Sequence, residues 1–295
     1  MSGGSGGRAH GGPESAKSSW VAPGRLRSLG GRQNGGVTGR AATILMHSSK
    51  TMRPPSSGRR PTGSPVLLDK AGELVDYLRT LSVAQLARIM AVSPELADRT
   101  RQQYAEWTTD PAGQAPAVES FVGDIYSGLR VDAFSAAERR YADAHLRILS
   151  GLYGILRPFD GICPYRLEMG YRLPDRNLYR FWGSAIAEQL PAKGQIVNLA
   201  ANEYSRTVTA HVAPERVVTP KFLTVDVKSG VPKFVTVHAK IARGAFARWL
   251  VTAREIDLTG FDDIGYRYDK TLSTDREPVF VCEEFGGKGL SVRLT

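Results

Sequence analysis

Every apolar run in this sequence is short and interrupted; Phe234–Val237 and Pro278–Cys282 are typical of the longest. A helix that crosses a bilayer needs about 18 consecutive apolar residues, so no membrane partner is expected. The chain must build its core from short segments. Its 295 residues, 42% hydrophobic and 23% charged, are enough for a substantial one.

Those segments come at two periods. From Lys70 to Thr80 the apolar positions Ala71, Leu74, Val75 and Leu78 have helical spacing. Ser82-Val-Ala-Gln85 is a capping box for a short helix to about Met90. Ser93-Pro94-Glu95 opens another helix with a serine cap, a proline at the first position and an acid in the first turn. The two are joined by a turn from Ala91 to Ser93. A second capping box, Ser135-Ala-Ala-Glu138, predicts a helix through Tyr141, Leu146 and Leu149.

Strand signals take over elsewhere. Thr43–Met46 reads as a short buried strand and His47–Thr51 as the turn leaving it; Arg53–Pro65 should be a loop. Gln195–Ala200, Val217–Asp226, Lys233–His238 and Pro278–Phe285 read as strands, with a helix over about Lys240–Arg254. Phe285–Leu290 fits a hairpin turn better than a phosphate loop. Together these predict one α/β domain over 42–295, a mixed sheet surrounded by helices. Residues 1–41 are Gly/Ser/Arg-rich and are expected to be a disordered extension.

That extension holds six basic residues and one acid, half of the net charge of +10. The rest is a modest excess, which suits an anionic partner and an ordinary solvated surface equally. Two cysteines far apart, Cys163 and Cys282, point to free thiols in a reducing, cytoplasmic setting. No spacing suggests a metal site, and no cofactor is implied.

Three places concentrate polar chemistry. Ser150–Asp160 and Pro164–Gly170 form a segment too rich in Gly, Pro and charge for regular structure, in which Arg157, Asp160, Arg166 and Glu168 should pair with each other or line a cleft. His238–Gly244 puts Lys240 and Arg243 on one face at a helix start, where free amides favour an anion. Asn198, Glu203 and Tyr204 follow a strand end, and Lys50 follows the first strand, where α/β sheets collect ligand-facing side chains.

Taken in order, these segments resemble the YaaA family of peroxide-stress proteins across the whole chain from Ala42. The matching stretches include Lys50-Thr51, Phe121–Leu129, His145–Pro158, Pro164–Gly170, Phe181-Trp182, Asn198-Leu-Ala, Glu203-Tyr204 and Ala239–Gly244. The resemblance implies an unusual α/β fold with a helix-hairpin-helix element, here about 82–107, a basic cleft and DNA binding. It also implies protection from peroxide and lowering of free iron. Arg88, Arg99 and Arg101 are the basic residues in that element. This chain differs in three places: Ala91-Val-Ser93 has no glycine, the first turn reads His-Ser-Ser-Lys-Thr instead of Ser-Pro-Ala-Lys-Thr, and Ala201 replaces a serine. The last two changes lie among the cleft residues.

Two functions follow. One is sequence-tolerant DNA binding by the hairpin element and a cleft of Arg157, Arg166, Asn198, Lys240 and Arg243. The other is an enzyme for a small anionic or nucleotide-like ligand, with Lys50, Glu168, Glu203 and Tyr204 as candidate catalytic residues.

Overall fold

The first strand, β1 (Thr43–His47), is buried along nearly its whole length and is the middle strand of the principal sheet. The computed structural model describes residues 42–53, 58–254 and 257–286. The expected extension over 1–41 and most of the Phe285–Leu290 turn lie outside them.

After β1 come β2 (Thr51–Met52) and three helices, α1 (Leu68–Arg79), α2 (Val83–Met90) and α3 (Pro94–Glu106). The four apolar residues that predict α1 are the ones it buries. The Ser82 cap forms as a reciprocal pair, Gln85 N–H donating to Ser82 Oγ at 3.2 Å and Ser82 N–H to Gln85 Oε1 at 2.8 Å. Ala91 closes the α2–α3 turn in the left-handed region, φ 50°, the conformation in which many helices end.

Short pieces follow: β3 (Ala115–Pro116), α4 (Ala117–Ser120), β4 (Phe121–Val122) and α5 (Asp124–Leu129). The Ser135 box caps α6 (Ala136–His145), which stops earlier than its spacing predicts. Leu146 and Leu149 belong instead to β5 (Leu146–Ser150), parallel to β1. Apolar residues three apart fit a helix face and a short buried strand alike, and pairing with β1 selects the strand. The Ser150–Gly170 segment is also less irregular than expected: β6 (Gly154–Leu156) returns antiparallel to β5, and β7 (Gly161–Ile162) pairs with β3.

The remaining elements are α7 (Leu178–Trp182), β8 (Ile196–Asn198), α8 (Asn202–Thr209), β9 (Val217–Val218), β10 (Lys221–Val225), β11 (Pro232–Lys233), α9 (Thr236–Ala253), β12 (Tyr266–Asp269) and β13 (Val279–Cys282). The Lys233–His238 run is not a strand: α9 already begins at Thr236, and Phe234 and Val237 are exposed.

The result is a mixed α/β domain with two main sheets and two two-stranded ones, β2 with β4 and β3 with β7. The first main sheet has order β6-β5-β1-β8-β9, parallel except for β6; the second has order β11-β10-β13-β12. The predicted strand Val217–Asp226 is shared between them. It breaks at Thr219-Pro220, since proline cannot donate to a ladder. Phe222, Phe246, Phe261 and Phe280 fill the space between α9 and the second sheet. On its other side α9 crosses α5 closely. A Cβ on Gly244 would lie 1.8 Å from Ile125 O, and one on Gly128 2.1 Å from Ile241 O. Only glycines permit this approach.

Candidate anion-binding recess

The parallel register of β1, β5 and β8 brings His47, Ser150 and Asn198 to the same, carboxyl, edge of the first sheet. Each residue there is held by its own element.

His47 ends β1. Its carbonyl accepts from the Tyr126 hydroxyl of α5 at 2.9 Å, its Nδ1 accepts from Ala201 N–H at 3.3 Å, and its ring stacks on Tyr204 of α8 with centroids 5.1 Å apart. Burial, then the charges of Arg243 and Lys240, hold the imidazole down at a pKa of about 3. It is therefore neutral at ordinary pH, and both α9 cations lie near the end of β1.

Neither cation has an ion-pair partner among the described residues, and burial lowers the Arg243 pKa. They are the fifth and eighth residues of α9, not its first turn. The expected help from helix-start amides is thus corrected. The side chains reach the recess from the helix body, placed by the α5–α9 crossing.

The loop after β7 brings further charged groups to the turn that follows β1. Glu168 Oε2 lies 2.7 Å from Lys50 Nζ, and that hydrogen bond is the main cause raising the Lys50 pKa. Arg166 donates to Lys50 O at 3.2 Å, while its buried Nε makes no hydrogen bond. The Tyr104 hydroxyl at the end of α3 donates to Arg166 O at 2.5 Å, tying the helix pair to this loop. Glu203 accepts from Gly170 N–H at 2.7 Å, fastening α8 to the same loop. Beneath lies a set of hydroxyls of which the sequence singles out only Tyr204. Ser48 hydrogen-bonds to Tyr165 and Tyr204, and Tyr165 is 2.7 Å from Ser150 Oγ. Burial raises both phenols, Tyr165 to about 12. His47 and Ser48 were legible as turn residues that depart from the family's pattern among the cleft residues, but nothing in their spacing gives them a contact.

Other expected residues lie elsewhere or are otherwise engaged. Asn198 is buried and shapes the exit from β8, accepting from Ala200 N–H at 3.1 Å and donating to Thr219 Oγ1 at 3.3 Å. Arg157 is exposed at the opposite edge of the sheet. Antiparallel β6 pairs Leu156 with Ile148 and carries the chain back towards the start of β5. There Arg157 N–H donates to Asp160 Oδ2 at 2.8 Å, near Arg147. The expected four-membered cluster of Arg157, Asp160, Arg166 and Glu168 therefore divides between two edges.

Arg88, Arg99 and Arg101 are exposed on α2 and α3, Arg101 being 3.3 Å from Asp98. The start of α3 is not open to a phosphate in the way expected. Ser93 Oγ takes Leu96 N–H at 3.4 Å, Pro94 has no N–H, and the Glu95 carboxyl, its pKa lowered by its own amide and Ser93, occupies the first turn. Among the described residues no cluster of three or more metal-ligating side chains forms, and no helix is long and apolar enough to cross a membrane.

A family model described as peroxide stress protein YaaA matches residues 43–272. A UPF0246 protein of Salinispora tropica is 60% identical over 256 residues, covering 85% of this chain and 97% of that protein. A UPF0246 protein of Cellvibrio japonicus is 41% identical over 236 residues, covering 75% of this chain and 90% of that one.

Proposed function

Because the chain belongs to the YaaA family of peroxide-stress proteins, we propose that it is a sequence-tolerant DNA-binding protein that holds backbone phosphates in the recess lined by α9, Lys50 and Arg166. The observation that carries this reading is Arg243, a half-buried guanidinium with no carboxylate partner among the described residues, beside an equally unpartnered Lys240. A buried cation without a counter-charge is unfavourable, and a phosphate supplies that charge together with acceptors suited to the guanidinium fork. Arg166, which donates to Lys50 O, adds a third cation.

Arg88, Arg99 and Arg101 extend the positive surface along α2 and α3. They meet the backbone through side chains, because the α3 amides are already capped. Such contacts position a duplex without reading its sequence. Two buried free thiols, Cys163 and Cys282, agree with a reducing cytoplasm. In a low-salt gel shift, Arg243→Ala and Lys240→Ala should each weaken duplex binding about tenfold or more. Undiminished binding by both variants would rule the recess out.

One observation favours a second reading, turnover of a small anionic or nucleotide-like ligand. The Lys50–Glu168 pair and the Ser48, Tyr165 and Tyr204 hydroxyls offer acid, base and donor chemistry that gripping a phosphate does not require. Glu203 is committed to Gly170 and is the weaker base candidate. Glu168→Gln separates the readings. It should raise DNA affinity by removing a negative charge, whereas an enzyme would lose its turnover.

A further inference from the structure

We propose that His47 is itself a phosphate-binding residue of the recess, presenting Nε2–H to the anion that Lys240 and Arg243 hold. This rests on the recess reading above and adds to it a donor outside the arginines and lysines. Ala201 N–H donates to Nδ1 at 3.3 Å, so that nitrogen keeps its lone pair. In a neutral ring the proton then sits on Nε2, a tautomer assigned from the hydrogen bond.

Nε2 has no hydrogen-bond partner among the described residues. The ring is held by Tyr204, stacked at an interplanar angle of 28°, and by Ala201 N–H, while the Tyr126 hydroxyl fixes the His47 carbonyl. Burial, and then the charges of Arg243 and Lys240, keep it from protonating. The recess therefore gains a fixed donor without a further concentrated charge. A neutral donor beside two cations suits an acceptor-only group with several lone pairs, which is the chemistry of a phosphate group, free or within a nucleic acid.

The full chain is titrated with inorganic pyrophosphate by calorimetry and with a labelled duplex oligonucleotide by anisotropy. His47→Asn keeps an acceptor near Ala201 N–H but cannot reach the anion; His47→Gln restores a donor at the position of Nε2. The expected result is a loss of about tenfold for His47→Asn with its thermal midpoint retained, and recovery of most of that loss in His47→Gln. Loss with both probes assigns recognition to the phosphate itself, and loss with the duplex alone assigns it to phosphate within nucleic acid. Wild-type affinity in a folded His47→Asn, or equal losses in the two variants, would overturn the proposal while leaving the recess intact. If the wild type bound neither probe, the recess reading would fall with it.

Discussion

Arg243 and Asp160 show two ways in which one buried charge shapes this protein. Arg243 is desolvated without a carboxylate partner, an arrangement that favours an incoming anion. Asp160 is buried at the other edge of the sheet, where burial raises its pKa to about 6 despite its bond from Arg157 N–H. The folded state therefore binds that proton more tightly than the unfolded chain does. Ionisation weakens the fold as pH rises from the ordinary aspartate value of 3.8 through about 6. Asp160→Asn should stabilise the protein by about 1–2 kcal/mol near pH 7 and give no gain near pH 3, as measured by denaturant titration at both values. Much of the recess was legible residue by residue, because Lys50, Arg166, Lys240 and Arg243 stand beside glycines, prolines or strand ends. Arg157 was not separable from them: its distance depends on the direction of β6, which composition does not encode. His47 stood out only as a departure from the family's turn, because its contacts with Ala201 and Tyr204 come from more than 150 residues away in sequence.

At the scale of elements, the α5–α9 crossing sets how far Lys240 and Arg243 reach. Gly244→Ala would push a methyl group into Ile125 O, and Gly128→Ala one into Ile241 O. Backbone cannot yield as a flexible side chain does, so each should destabilise by at least about 2–3 kcal/mol and weaken anion binding in the fraction that folds. Thermal unfolding and DNA titration of the same samples test both parts. Capped helices were the most legible elements, since Ser82, Ser93 and Ser135 announce their helices by local chemistry alone. The errors fell where partners decide. Leu146–Ser150 becomes a strand because β1 lies alongside, and Thr236–His238 becomes helix because the alanine-rich stretch after it packs on α5.

For the whole molecule, the sequence implied an α/β domain with a mixed sheet but not its division into two main sheets. That division follows from the pairing of β10 with β13, about sixty residues later, and no local pattern reports it. The same topology brings cations from three distant stretches to one edge of the first sheet: Lys50 after β1, Arg166 after β7, and Lys240 with Arg243 on α9. Their convergence is the central claim, and counterion release measures it directly. Duplex affinity should fall linearly on a log–log plot against salt, and the double variant Lys240→Ala/Arg243→Ala should flatten that slope by about two phosphate contacts. A slope unchanged in the folded double variant would contradict phosphate binding in the recess.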